Sequence, residues 1–189
     1  MSASFNFTDI TLGVLPAGDG LKAVPLSSSG CQILWTPDAQ TVAFEPSAYK
    51  NEDAKRVNLV MRASPQAAQA LEELDAYILD LCKQNSSRLF GEELSSETLA
   101  SRYVPCLKRS DKGGDPIFKA KIELEGHWKL KCWNQDRDLC DPPCEWSGRS
   151  VRPRIALKCI WLTANGSFGC QLQCSDILLL PHEEVACPF

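Results

Sequence analysis

Apolar and charged residues alternate most regularly between residues 117 and 158. Ile117-Phe118-Lys119-Ala120-Lys121-Ile122-Glu123-Leu124 comes first. His127-Trp128-Lys129-Leu130-Lys131-Cys132-Trp133 follows, and then Val151-Arg152-Pro153-Arg154-Ile155-Ala156-Leu157-Lys158. A period of two sends successive side chains to opposite faces of a strand, one buried and one wet. The pattern therefore predicts three strands. Their core faces carry Phe118, Ala120 and Ile122; Trp128, Leu130 and Cys132; and Ile155, Leu157 and Cys159. Their wet faces carry Lys119 and Lys121; Lys129, Lys131 and Trp133; and Arg152, Arg154 and Lys158. A last pair of strands, 155–163 and 168–175, is predicted around Ala164-Asn165-Gly166-Ser167, because Asn-Gly favours the tight turn of a hairpin. Residues 177–180 either extend the second of these strands or cross to an edge.

Short strands broken by turns are predicted before residue 62. They are 7–14, then 21–26 and 31–35 as a hairpin through Ser27-Ser28-Ser29-Gly30, then 42–44 and 56–61. A helix is predicted over 64–83. Ser64 suits the N-cap, and Pro65 stands at the first helical position, where its missing N–H costs nothing. Leu71, Leu74, Ile78, Leu81 and Cys82 make its apolar stripe, and Glu72, Glu73, Asp75 and Asp80 its acidic face. A second helix, 96–103, is capped by Ser95 and ends before Pro105. Residues 85–94 and 134–150 read as loops. Arg137 and Arg149 flank the second, and Trp146 sits in it, either folded back on the core or held out for contact. The expected class is mainly β with helices (α+β).

At 189 residues with 44% hydrophobic content, the chain suits one domain with a real core. The net charge of −4 hides an asymmetry. Residues 1–101 carry 7 basic and 13 acidic side chains, 102–158 carry 13 and 8, and 159–189 carry 0 and 3. A basic middle between acidic ends points to an anionic partner for the middle. No apolar run approaches the roughly 18 residues that span a bilayer, and no basic leader with an apolar run opens the chain. An intracellular location, in nucleus or cytoplasm, is expected, with no membrane contact. The ten cysteines, spread from Cys31 to Cys187, are then expected as free thiols.

Catalytic patterns are absent. The two histidines, His127 and His182, stand beside no recognisable nucleophile, and there is no glycine-rich phosphate loop. A non-enzymatic protein without cofactors is expected. Cys140 and Cys144, four apart in a proline-rich loop, have a spacing that zinc permits and are the candidates for a structural metal site. If the three basic strands are neighbours, Lys119, Lys121, Lys129, Lys131, Arg152, Arg154 and Lys158, with Arg149 beside them, form a groove that follows phosphates. Trp133 then offers a stacking platform. The competing reading is a protein-interaction module acting through the acidic helix face, the Trp146 loop or the C-terminal tail.

A resemblance sharpens this. Val57-Asn58-Leu59-Val60, the helix with Leu74-Asp75, Leu89-Phe90-Gly91, Lys119-Ala120-Lys121-Ile122, and Ile160-Trp161 before the last hairpin occur in that order. The arrangement is similar to that of the OB-fold single-stranded DNA-binding proteins of large DNA viruses and podovirus-type phages. The resemblance implies an OB-like antiparallel barrel with an elaborated helical connection, spanning 1–180. It also implies sequence-independent binding of single-stranded DNA, with RNA as an alternative. The segment 181–189 resembles the acidic tails of bacterial and phage single-stranded DNA-binding proteins. It implies recruitment of replication or repair proteins through Glu183, Glu184, Pro188 and Phe189.

Overall fold

A computed structural model describes residues 9–17, 21–48, 55–109 and 113–181. The tail residues Glu183, Glu184, Pro188 and Phe189, and His182, lie outside the described residues.

The Asn-Gly turn does what its sequence predicts. Gly166 takes φ +82° at the tip, and Asn165 Oδ1 accepts from the Ser167 N–H at 3.2 Å. Two long strands meet there, β10 (Ser150–Leu162) and β11 (Phe168–Leu179), when strands are numbered in chain order. They pair from Val151↔Leu179 to Leu162↔Phe168, so residues 177–179 extend β11.

Three short strands share the other edge of β10, end to end. β2 (Lys22–Ser28) pairs with residues 159–162, β3 (Ile33–Trp35) with 155–157, and β4 (Gln40–Val42) with 150–151. β1 (Ile10–Leu12) flanks β2. The expected β2–β3 hairpin is thus corrected. A single Ser28–Cys31 bridge closes the turn, and both strands then satisfy their backbone groups on β10.

β4 pairs with β5 (Arg56–Arg62), and β5 pairs with β7 (Ile117–Glu123) along seven residues. β7 lies parallel to β11, so the pairings run in a circuit from β10 through β4, β5, β7 and β11 back to β10. β6 (Leu107–Lys108) flanks β7. β8 (Lys131–Trp133) runs parallel to β11, with β9 (Leu139–Cys140) beside it. The sheet is mixed, which corrects the wholly antiparallel arrangement expected. Alternation holds along the strands. Val57, Leu59, Met61, Phe118, Ala120, Ile122, Ile155, Leu157, Phe168 and Leu172 are all buried in one core.

Helix α1 (Pro65–Gln84) matches its predicted span, and the Ser64 side chain accepts from the Ala67 N–H. Its acidic face is only partly acidic surface, because Asp75 is buried. Asp75 Oδ1 accepts from the Tyr103 hydroxyl at 2.6 Å and from the Cys106 N–H at 2.9 Å. Desolvation and the neighbouring Cys106 and Asp75 charges push the Tyr103 phenol well above its ordinary value. The expected loop at 85–94 contains a short helix, α2 (Ser86–Phe90), and α3 (Ser96–Arg102) carries the Ser95 cap. Trp146 is folded back and buried, with its N–H and that of Ser147 donating to Glu45 Oε1. Held-out contact through the Trp146 loop is thereby corrected. Among the described residues no helix is long and apolar enough to cross a membrane.

Candidate nucleic-acid interface

Strand pairing decides which basic residues meet. Across β10, β11 and β8 the register sets Arg152, Leu178 and Trp133 in one row. Arg154, Asp176 and Lys131 form the next row. Ala156, Gln173 and Lys121 of β7 form a third, with Leu34 of β3 on its far side. The intervening positions Pro153, Ile155 and Ile177 point inward and are buried. Period-two alternation and sheet pairing together assemble an outward face from segments distant in sequence.

Seven of the nine expected nucleic-acid residues belong to this assembly. Arg152, Arg154, Lys129 and Lys131 are exposed, and Lys121, Lys158 and Trp133 are half-buried. Lys119 is exposed on the same side of β7 as Lys121, but stands opposite Val60 of β5, toward the neighbouring pair. Arg149 does not join the face. Its Nε donates to the Glu145 carbonyl at 2.6 Å, and its carbonyl accepts from the Val42 N–H, so it closes its own loop.

The face is basic but organised by carboxylates. Asp176 Oδ1 accepts from Trp133 Nε1 at 3.1 Å, Oδ2 accepts from the Ser175 hydroxyl at 2.8 Å, and Arg154 lies 3.8 Å away. Glu123 pairs with Arg56 at 3.2 Å. Among the described residues Lys119, Lys121, Lys129, Lys131 and Arg152 have no ion-pair partner. The thiols beneath them register this field. Burial pushes Cys159 up to about 11, with the Cys170 charge adding to the rise and Lys158 and Lys121 opposing it. Burial also pushes Cys132 up to about 11, with Cys140 adding and Lys129 opposing.

Trp128 is the residue that the alternation misplaced. It was expected on the core face with Leu130, yet it is 50% exposed. A turn over 126–129, with Gly126 at φ +81° and the Lys129 N–H on the Gly126 carbonyl, breaks the alternation before β8 begins. Its ring carries Lys158 Nζ 4.8 Å from the centroid and His127 edge-on at 5.0 Å. The glycine in Glu125-Gly126-His127 was the available signal. A cavity of about 210 Å³ opens between this loop and the sheet, lined by Trp128, Leu34, Ala156, Gln173, Arg154 and Asp176 among others.

Among the described residues no group of three or more His, Cys, Asp or Glu side chains gathers to hold a metal. Cys140 stands opposite Cys132 across β8–β9, and Cys144 is exposed.

No protein-family model and no curated protein matches the chain significantly. Solved structures do match. The single-stranded DNA-binding protein from bacteriophage Enc34, in complex with ssDNA, superposes with a TM-score of 0.54 at 12% identity, covering 92% of this chain and 96% of that one. The bacteriophage T7 protein gp2.5, a single-stranded DNA binding protein, superposes with a TM-score of 0.52 at 13% identity, covering 82% and 92%. The chain shares its fold with phage single-stranded DNA-binding proteins. The family resemblance drawn from its sequence is met at that level.

Proposed function

We propose that this chain is a non-enzymatic single-stranded DNA-binding protein with an OB-like barrel, formed by the pairing circuit of β10, β4, β5, β7 and β11. The strand lies along the outward face of β10, β11 and β8. Lys121, Lys129, Lys131, Arg152, Arg154 and Lys158 hold phosphates there, with Lys119 extending the path over β7. Trp128 and Trp133 stack bases. The observation that carries this reading is the register. It sets basic side chains, all but Arg154 without ion pairs among the described residues, around two partly exposed tryptophans, on a fold shared with proteins that bind single strands. Phosphate contacts and stacking read little sequence, since every base has a π-face and every nucleotide a phosphate. The protein works where DNA is unpaired inside the cell, in nucleus or cytoplasm. The tail 181–189 recruits replication or repair proteins, a reading that rests on its sequence alone.

Fluorescence anisotropy of labelled oligo-dT, with duplex DNA and RNA of equal length as competitors, tests the reading. Binding that prefers the single strand and weakens with a log–log salt slope of about −0.7 per neutralised phosphate is expected. Absence of binding at low salt overturns it. Preference for the RNA competitor moves the partner to RNA.

A further inference from the structure

We infer that the cavity under Trp128 is a subsite for one unpaired base, and that Asp176 makes it favour cytosine over thymine. The inference rests on the single-stranded DNA-binding reading and adds a base preference at one position of an otherwise sequence-tolerant path.

Size comes first. The cavity holds about 210 Å³. Pockets for drug-sized ligands run from roughly 300 to 1,000 Å³, whereas an apolar cavity of about 150 Å³ already admits a benzene ring. The space therefore suits one planar nucleobase. Its walls suit a planar ring as well. Leu34 and Ala156 line it from the sheet, and Trp128 lines it from the loop. Trp128 is held there by its contacts with Lys158 and His127.

Polarity separates cytosine from thymine. Asp176 lines the cavity with its side chain 22% exposed, so the carboxylate is not sealed off. Trp133 Nε1 and the Ser175 hydroxyl each occupy one lone pair of its oxygens, and a carboxylate accepts at about four sites in all. Arg154, 3.8 Å from Asp176, brings donors to the same wall. An acceptor beside donors complements the Watson–Crick edge of cytosine, which presents the N4 amino donor beside the N3 and O2 acceptors. Carboxylates accept from cytosine N4 for this reason. Thymine turns a carbonyl oxygen toward the same carboxylate, leaving two acceptors face to face.

The test compares labelled oligo-dC and oligo-dT of equal length by anisotropy at one salt concentration and slightly alkaline pH. The expected result is dC bound about fivefold more tightly than dT, the low end of one good paired contact to a base. Asp176→Asn, whose amide can donate where the carboxylate only accepts, brings the dC-to-dT ratio to one or below. An oligonucleotide of N4,N4-dimethylcytosine, which lacks the amino donor, tests the same contact on the unaltered protein and is expected to lose the advantage of dC. Equal binding of dC and dT, with the salt-sensitive preference for single strands intact, overturns the cytosine subsite and leaves the broader function standing. An advantage kept by the dimethylated oligonucleotide overturns the role of Asp176. Failure to bind any single strand overturns both readings together.

Discussion

Helix α1 and the β10–β11–β8 face both carry many charges, but the fold uses them differently. On α1, Glu72 receives Arg109 at 2.6 Å, Glu73 accepts from Gln69, Asp80 accepts from Gln84, and Asp75 is buried beneath Tyr103 and the Cys106 N–H. On the sheet face, Lys121, Lys129, Lys131 and Arg152 crowd together without ion pairs among the described residues. Charges paired within the chain contribute to holding it together. Like charges gathered without partners repel, and a polyanion that neutralises them releases counterions and gains affinity. The contrast separates the scaffold from the proposed binding surface without reference to any motif. The two tryptophans follow the same division, since Trp146 is 7% exposed and Trp128 is 50% exposed.

Breaking the comparison at the tryptophans has the largest expected effect. Trp146→Ala is expected to cost about 3–5 kcal/mol of stability, the usual range for deleting a buried aromatic, measured by chemical denaturation. Trp128→Ala is expected to leave the denaturation midpoint nearly unchanged while weakening oligo-dT by about 1–3 kcal/mol, the worth of one stacked base. Its salt slope should stay the same, because no phosphate contact is removed. A stability loss in Trp128→Ala equal to that of Trp146→Ala would erase the distinction.

Asp75→Ala comes next. It leaves the Tyr103 hydroxyl and the Cys106 N–H without their acceptor, and a loss of about 3 kcal/mol in unfolding free energy is expected, given 1.5–3 kcal/mol for each bond to a charged group. Since Asp75 joins α1 to the segment before β6, binding per folded molecule should hold, which titration of the active fraction checks.

The charge contrast gives a smaller and more specific effect. Lys129→Ala with Lys131→Ala is expected to weaken single-strand binding about tenfold at low salt and to reduce the log–log slope by about 1.4, from two lost phosphate contacts. Glu72→Gln with Glu73→Gln on the helix should shift stability by about 1 kcal/mol or less, as exposed pairs do, and leave the slope untouched.

A further effect appears only at alkaline pH. Burial pushes Cys82 up to about 12, the Cys170 charge adding to the rise, and burial likewise pushes Cys132 and Cys159 up to about 11, all from the ordinary 9.0. Above pH 9 the unfolded chain releases these protons while the folded chain keeps them. The unfolded state then binds fewer protons, so stability declines as pH rises from about 9 toward 11–12. Thermal melts across that range check the decline, and Cys82→Ala should make it shallower.

Much of this was legible along the chain because it is local. Ser64 and Pro65 start α1, and Asn165-Gly166 turns the last hairpin, since caps and turns depend on a few neighbouring residues. Alternation correctly assigned Phe118, Ala120 and Ile122 inward and Lys119 and Lys121 outward, and did the same for Arg152 and Arg154 and for Lys131 and Trp133. It failed at Trp128, where the Gly126 turn interrupts the period. It also placed Asp75 on a solvated helix face, because helical spacing alone does not reveal a later segment arriving with its own N–H groups.

The sequence by itself determined which side of each strand is basic and where the main helix and hairpin begin. Only the tertiary structure decided that those basic sides meet. The parallel pairing of β8 with β11 brings Lys131 to Asp176 and Arg154, and that of β7 with β11 brings Lys121 to Gln173. Side-chain alternation is a property of one strand, set by backbone geometry over two residues. The choice of neighbouring strand is set by how the whole chain buries its apolar faces and satisfies its backbone groups, and no single segment contains that information.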